Sequence, residues 1–135
     1  MLRAYRGEIL HFLADPAKVP LAQSYQYFED GLLLIKDGHV QQLDDASTLL
    51  PTLDSEVDVV HYQDGLIVPG FIDTHIHYPQ TEMIASYGEQ LLEWLENYTF
   101  PEEKQFKDFD HSKQVAEFFL SQLLSAGTTT ALVFG

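Results

Sequence analysis

One stretch constrains the fold more than any other: Ile67-Val68-Pro69-Gly70-Phe71-Ile72-Asp73-Thr74-His75-Ile76-His77. It opens as an apolar run with β-branched residues and closes on two histidines one residue apart. Side chains alternate across a strand, so a strand groups Phe71, Asp73, His75 and His77 on one face and Ile72, Thr74 and Ile76 on the other. A helix would turn the two imidazoles well apart. The isoleucine face suits an outer covering layer. The histidine face grows polar toward the strand's C-terminal end, where parallel α/β folds keep their chemistry. Each imidazole offers a neutral ring nitrogen, so the pair can hold one metal ion together. Two strand histidines satisfied by ordinary hydrogen bonds are the competing reading, and the pair alone does not decide between them.

Past the histidines, the chain fits a strand–helix–strand unit. Residues 79–109 form a long excursion, and loops at that end of a barrel carry binding residues. Within it, residues 89–97 predict a helix with Leu91, Leu95 and Tyr98 at i, i+4 and i+7. Trp94 is expected to pack rather than face a pocket, and Glu89, Glu93 and Glu96 to form the solvated face. Asp110 can cap a helix over residues 111–125, on which Val115, Phe118, Phe119, Gln122 and Ala126 recur at helical spacing and which Gly127 ends. His111, at the start of that helix, is expected to be exposed and remote. Thr128 to Phe134 is apolar and β-branched, as a buried parallel strand should be. The helix then crosses from one strand back to its parallel neighbour in a right-handed βαβ unit.

Residues 1–66 read differently. Residues 2–13 suit a strand, broken at Asp15-Pro16, and 17–29 are ambiguous, with Tyr25 and Tyr27 suited to core or interface packing. Asp37-Gly38 between Leu32–Ile35 and Val40–Leu43 is a strong hairpin signal, which leaves His39 solvated at its edge. A helical turn over 44–50 stopped by Pro51, a strand over 57–62 with His61 packed beside Val57 and Val59, and a turn at Asp64-Gly65 complete a small β-sandwich.

Charge and composition exclude several classes. Seven Lys+Arg stand against 21 Asp+Glu, a formal net charge of −14. Such a surface repels phosphate backbones, so nucleic acid and anionic membranes are not expected partners. There is no cysteine, which removes disulfides and thiolate zinc sites. No run approaches the ~18 apolar residues of a membrane span, and a cytoplasmic protein is the default.

The run at residues 69–77, Pro-Gly-Phe-Ile-Asp-Thr-His-Ile-His, resembles the first barrel strand of the amidohydrolase superfamily. His77-Tyr78-Pro79-Gln80-Thr81-Glu82-Met83, the segments 87–95 and 98–101, and Gly127-Thr128-Thr129-Thr130-Ala131 look like the guanine deaminases within it. The resemblance implies an α/β fold. It would be the start of a metal-dependent (β/α)₈ TIM barrel from residue 67 to 135, preceded by part of a β-sandwich over residues 1–66. It implies His75 and His77 as ligands of zinc, with iron as the alternative. It also implies that His77, Tyr78, Pro79 and Gln80 contact a small purine substrate. A carboxamide both donates and accepts, which suits the mixed edge of guanine. Asp73 would orient a histidine or pair with another strand. The remaining ligands, two His and an Asp, and the acidic proton shuttle would come from later strands. No catalytic residue beyond the metal ligands is therefore expected in these 135 residues. A barrel of this type takes about 250 residues, so the chain reads as the N-terminal part of a cytoplasmic, homodimeric enzyme, poorly folded and inactive alone. Another amidohydrolase (a cytosine deaminase, a hydantoinase-like enzyme or a chlorohydrolase) would share the two histidines but not the Tyr78-Pro79-Gln80 loop. A non-catalytic β-domain or assembly fragment is the third alternative.

Overall fold

A computed structural model describes residues 1–88 and 90–135. Contacts divide the chain into two units, Met1–Pro69 and Gly70–Gly135.

The first unit is a four-stranded sheet in the order β3-β2-β1-β4. β1 (Leu2–Phe12) pairs antiparallel with β2 (Tyr25–Lys36), β2 antiparallel with β3 (His39–Asp45), and β1 parallel with β4 (Val59–Ile67). Asp37 and Gly38 have φ of 52° and 81°, the left-handed pair that matches the twist of a tight hairpin. Ala4 of β1 lies opposite Leu34 of β2. Together with Leu32 they form the core against Ala46 and Leu49 of the short helix α1 (Ala46–Leu49). Full burial of a leucine such as Leu32 contributes about 1.5–3 kcal/mol.

The described residues of this unit form one sheet covered by α1. Several local expectations change here. Asp64-Gly65 is not a turn: β4 runs through it, and its extra residues bulge out where pairing passes from Arg6↔His61 to Glu8↔Leu66. Gly7 permits that approach, since a Cβ there would lie 2.7 Å from the Tyr62 carbonyl oxygen. Leu66 and Ile67 consequently pair with β1 rather than open the histidine strand. Pro51 sits in the first turn of a 3₁₀ segment, Leu50–Thr52, where its missing N–H costs nothing, so it continues the turn instead of stopping it. His61 is exposed, as are Tyr25 and Tyr27. The Tyr27 hydroxyl donates to Glu8 at 2.8 Å.

In the second unit β5 (Phe71–His77) pairs parallel with β6 (Thr128–Phe134). The chain enters β5 through Gly70, packed so closely on Thr129 that a Cβ would collide with that side chain. Between the strands run a 3₁₀ segment (Tyr78–Met83), α2 (Leu91–Trp94), a π-helical turn (Leu95–Thr99), α3 (Phe100–Glu103), a second 3₁₀ segment (Lys104–Lys107) and α4 (Phe109–Ser125). The predicted helix thus starts later and runs further than residues 89–97, with Glu89 outside the described residues. Its stripe is not buried: Leu91 and Tyr98 are exposed. The π turn precedes Pro101, whose lack of an N–H interrupts the regular ladder. The cap of α4 is Asp108, not Asp110: Asp108 has extended backbone angles and its side chain accepts from the His111 N–H. Val115 and Phe119 form the buried face, Phe118 is exposed, and Gly127 at φ 83° ends the helix. β6 is less covered than a buried strand should be, for Leu132 is 60% exposed.

Candidate active site

The site begins with an irregularity in β5. Pairing with β6 passes from Asp73↔Ala131 to Ile76↔Val133, so over this interval β5 carries one residue more than its partner, offsetting the extra residue of β6 between Phe71↔Thr128 and Ile72↔Thr130. Such a bulge bends a strand and re-aims its side chains. The His75 N–H donates to Asp73 Oδ1 at 3.0 Å. Among the described residues Asp73 therefore braces the strand's backbone and not an imidazole ring.

The two imidazoles converge, with His75 Nε2 and His77 Nε2 3.0 Å apart and ring centroids separated by 5.1 Å. His75 is exposed and His77 half-buried. Two nitrogens at 2.0–2.1 Å from a tetrahedral ion lie about 3.3 Å apart. The pair is thus a nearly formed bite for one divalent ion, and two neutral imidazoles are suitable donors. Among the described residues no third His, Asp or Glu joins them. Phe134, at the end of β6, lies 4.6 Å from the His75 ring and 5.1 Å from the His77 ring. Sequence reasoning missed it. The usable signal is register, since Phe134 pairs directly with His77.

Beyond His77 the chain turns at once into its 3₁₀ segment. Pro79 occupies the first turn, and the Thr81 hydroxyl closes it by donating to the Tyr78 carbonyl at 2.6 Å. Tyr78 packs edge-on against Phe106 and near Phe119, while Pro79 is buried. Gln80 is half-buried and its Nε2 donates to Glu103 Oε1 of α3 at 3.0 Å. A cavity of about 610 Å³ opens here, walled by His75, His77, Gln80, Trp94, Phe118 and Leu123 among others. His75, His77 and Gln80 therefore come together at one cavity, whereas Tyr78 and Pro79 do not line it. Trp94 does, contrary to expectation. Its Nε1 donates to the Ser86 carbonyl at 3.2 Å, and Gly88 lies against its Cβ. Glu103 was also missed, because the path that returns α3 to this segment leaves no periodic trace in the sequence.

A second polar group lies apart from the histidine pair. Glu82 of the 3₁₀ segment, Glu102 of α3 and His111 of α4 bring their ligand atoms within 4.8 Å of one another. His111 Nε2 sits 3.5 Å from Glu82 Oε2. His111 is thus half-buried rather than exposed, and its Nε2 makes no hydrogen bond among the described residues. Desolvation raises the Glu102 pKa above its ordinary value, and the hydrogen bond and charge of Glu82 add to the rise.

Residues 66–135 match the amidohydrolase family. The chain is 45% identical to the guanine deaminase of Escherichia coli (strain K12), over 99% of this chain and 31% of the relative. It is 40% identical to a probable guanine deaminase of Deinococcus radiodurans, over 99% of this chain and 31% of that protein. A solved structure of the E. coli guanine deaminase superposes with a TM-score of 0.89 at 45% identity, covering 98% of this chain and 31% of that one. The chain thus spans about a third of the length of the curated relatives it matches.

Proposed function

The chain belongs to the amidohydrolase family, and from that membership we propose that it supplies the N-terminal portion of a guanine deaminase, a metal-dependent hydrolase converting guanine and water to xanthine and ammonia. The observation that carries the reading is the convergence of the His75 and His77 Nε2 atoms at 3.0 Å on a cavity that Gln80 also lines. The similarity to guanine deaminases at 45% and 40% identity favours this substrate over those of other amidohydrolases.

His75 and His77 would hold the ion, zinc or alternatively iron. When bound there, a divalent ion supplies the Lewis acidity that lets water ionise near neutral pH. The residues of this chain do the rest of the local work. Gln80 has one N–H engaged by Glu103, which leaves a carbonyl oxygen and a second N–H for the polar edge of a purine. Trp94 and Phe118 offer apolar surface to the ring system, and Phe134 backs both imidazoles. Tyr78 and Pro79 serve this site by fixing the turn that delivers Gln80. Water adds to the ring carbon that bears the exocyclic amine, and the adduct loses ammonia. The groups that shuttle the proton and complete the ligand set belong to the remainder of the proposed enzyme, which we assign to the cytoplasm as a homodimer. No described helix is long and apolar enough to cross a membrane.

Two variants of the full-length enzyme test this. Gln80→Ala leaves a purine polar group unpaired, a cost of about 1–3 kcal/mol. It should keep its metal and lose roughly one to two decades of guanine kcat/KM. His77→Ala should lose metal and rate together. The measurement is guanine-to-xanthine conversion by ultraviolet absorbance, with metal content on the same samples. Full guanine activity in Gln80→Ala would remove Gln80 from base recognition, and a metal-loaded wild type that leaves guanine unchanged would reduce the reading to an amidohydrolase of another substrate.

A further inference from the structure

Gln80 is a symmetric-looking group with an asymmetric job. Its carboxamide can present either the oxygen or the NH₂ to the cavity, because a half-turn of the terminal torsion exchanges them. One contact breaks that symmetry: Gln80 Nε2 donates to Glu103 Oε1 at 3.0 Å, in a half-buried setting. An ionised carboxylate only accepts, so it selects the NH₂ end, and a hydrogen bond to a charged acceptor is stronger than one to a neutral acceptor. We propose that Glu103 is the positioning residue that sets the polarity of Gln80, turning the Gln80 carbonyl oxygen toward the substrate so that the site prefers a heterocycle offering an N–H at that edge.

Local structure supports this assignment. Glu103 is the last residue of α3, a short helix that comes directly after the π turn and begins beside Pro101. Gln80 sits in a 3₁₀ segment fixed by Pro79 and the Thr81 hydroxyl. Both backbones are therefore constrained, and the terminal torsion of Gln80 is the freedom left for Glu103 to settle. The neighbouring Glu102 accepts from Gln105 Nε2 at 2.9 Å and lies beside Glu82 instead, so the two adjacent glutamates of α3 serve different partners.

The inference rests on the guanine deaminase reading, and its test separates the two. In the metal-loaded full-length enzyme, Glu103→Ala should raise KM for guanine about tenfold, with kcat changed less than about threefold and metal content unchanged. Glu103→Gln keeps an oxygen that can accept from Gln80, and should recover at least half of that loss on a logarithmic scale. Because Glu103 acts through Gln80, adding Glu103→Ala to Gln80→Ala should cost less than about twofold more. An equal further loss in that background would make Glu103 a general brace and overturn the proposal. So would an unchanged KM in Glu103→Ala, with the guanine deaminase reading left standing. A metal-loaded wild-type protein that does not deaminate guanine would instead overturn that reading, and this proposal with it.

Discussion

At the scale of single residues, Asp73 has the sharpest consequence. Its carboxylate holds the one His75 N–H that the β5 bulge takes out of the ladder. Asp73→Ala should release the bulge and let the imidazoles drift apart. Residues that orient metal ligands typically carry 10–100-fold in affinity, so metal retention against a chelator should fall about tenfold. Asp73→Asn retains a carbonyl acceptor and should stay within a few-fold of the wild type. Equal retention in both variants would assign Asp73 no part in the bite. Glycines give a second contrast. A Cβ at Gly70 would strike Thr129, whereas one at Gly65 meets nothing within 4 Å. Gly70→Ala should destabilise by about 1–3 kcal/mol, as overpacking does. Gly65→Ala should stay within about 0.5 kcal/mol, and thermal denaturation of the two variants checks the difference. The shared face of His75 and His77 was legible in the sequence because strand parity is strict. The bulge was not, since the extra residue is defined only by counting against β6.

At the scale of elements, legibility tracked periodicity. α4 was readable from its apolar spacing, but its cap moved by two residues because Asp108 and Asp110 are equally suited by type and only backbone geometry separates them. The Asp37-Gly38 hairpin was readable because both residues must take positive φ. Asp64-Gly65 carries the same letters without that requirement and lies within β4. The Glu82–Glu102–His111 group escaped because it joins three elements far apart in sequence. It predicts a pH dependence. The folded-state pKa of Glu102 is raised above its ordinary 4.5, so over the interval between the two values the folded chain holds a proton that the unfolded chain has released. Stability from this group is therefore full below the unfolded value and is lost as pH rises through the folded one. Glu102→Gln stays neutral throughout. Its melting temperature should match the wild type at about pH 4 and exceed it by a growing margin toward about pH 7. A margin that is flat with pH would show that Glu102 titrates normally.

At the scale of the whole molecule, the second unit leaves much apolar surface open. Phe71 is 58%, Ile72 68% and Leu132 60% exposed. Among the described residues both strands of its sheet are free on one edge, and such edges invite pairing with other chains. The polypeptide 1–135, made by itself, should bind a hydrophobic dye and sediment as a mixture of associated species. A monodisperse monomer with a cooperative melt would show that these surfaces are satisfied internally. The closeness of the two histidines bears on how metal and chain come together. Donors two residues apart close a ring of almost no length, and the entropy of closing a loop grows with the chain it encloses. An ion arriving early therefore meets, in this strand alone, a chelate that needs little ordering. On the proposed function, donors further along the enzyme would have to close longer loops to reach it, and binding free energy released there would be available as folding free energy. Capture of the ion and ordering of the chain would then be one process, with β5 as its natural starting point.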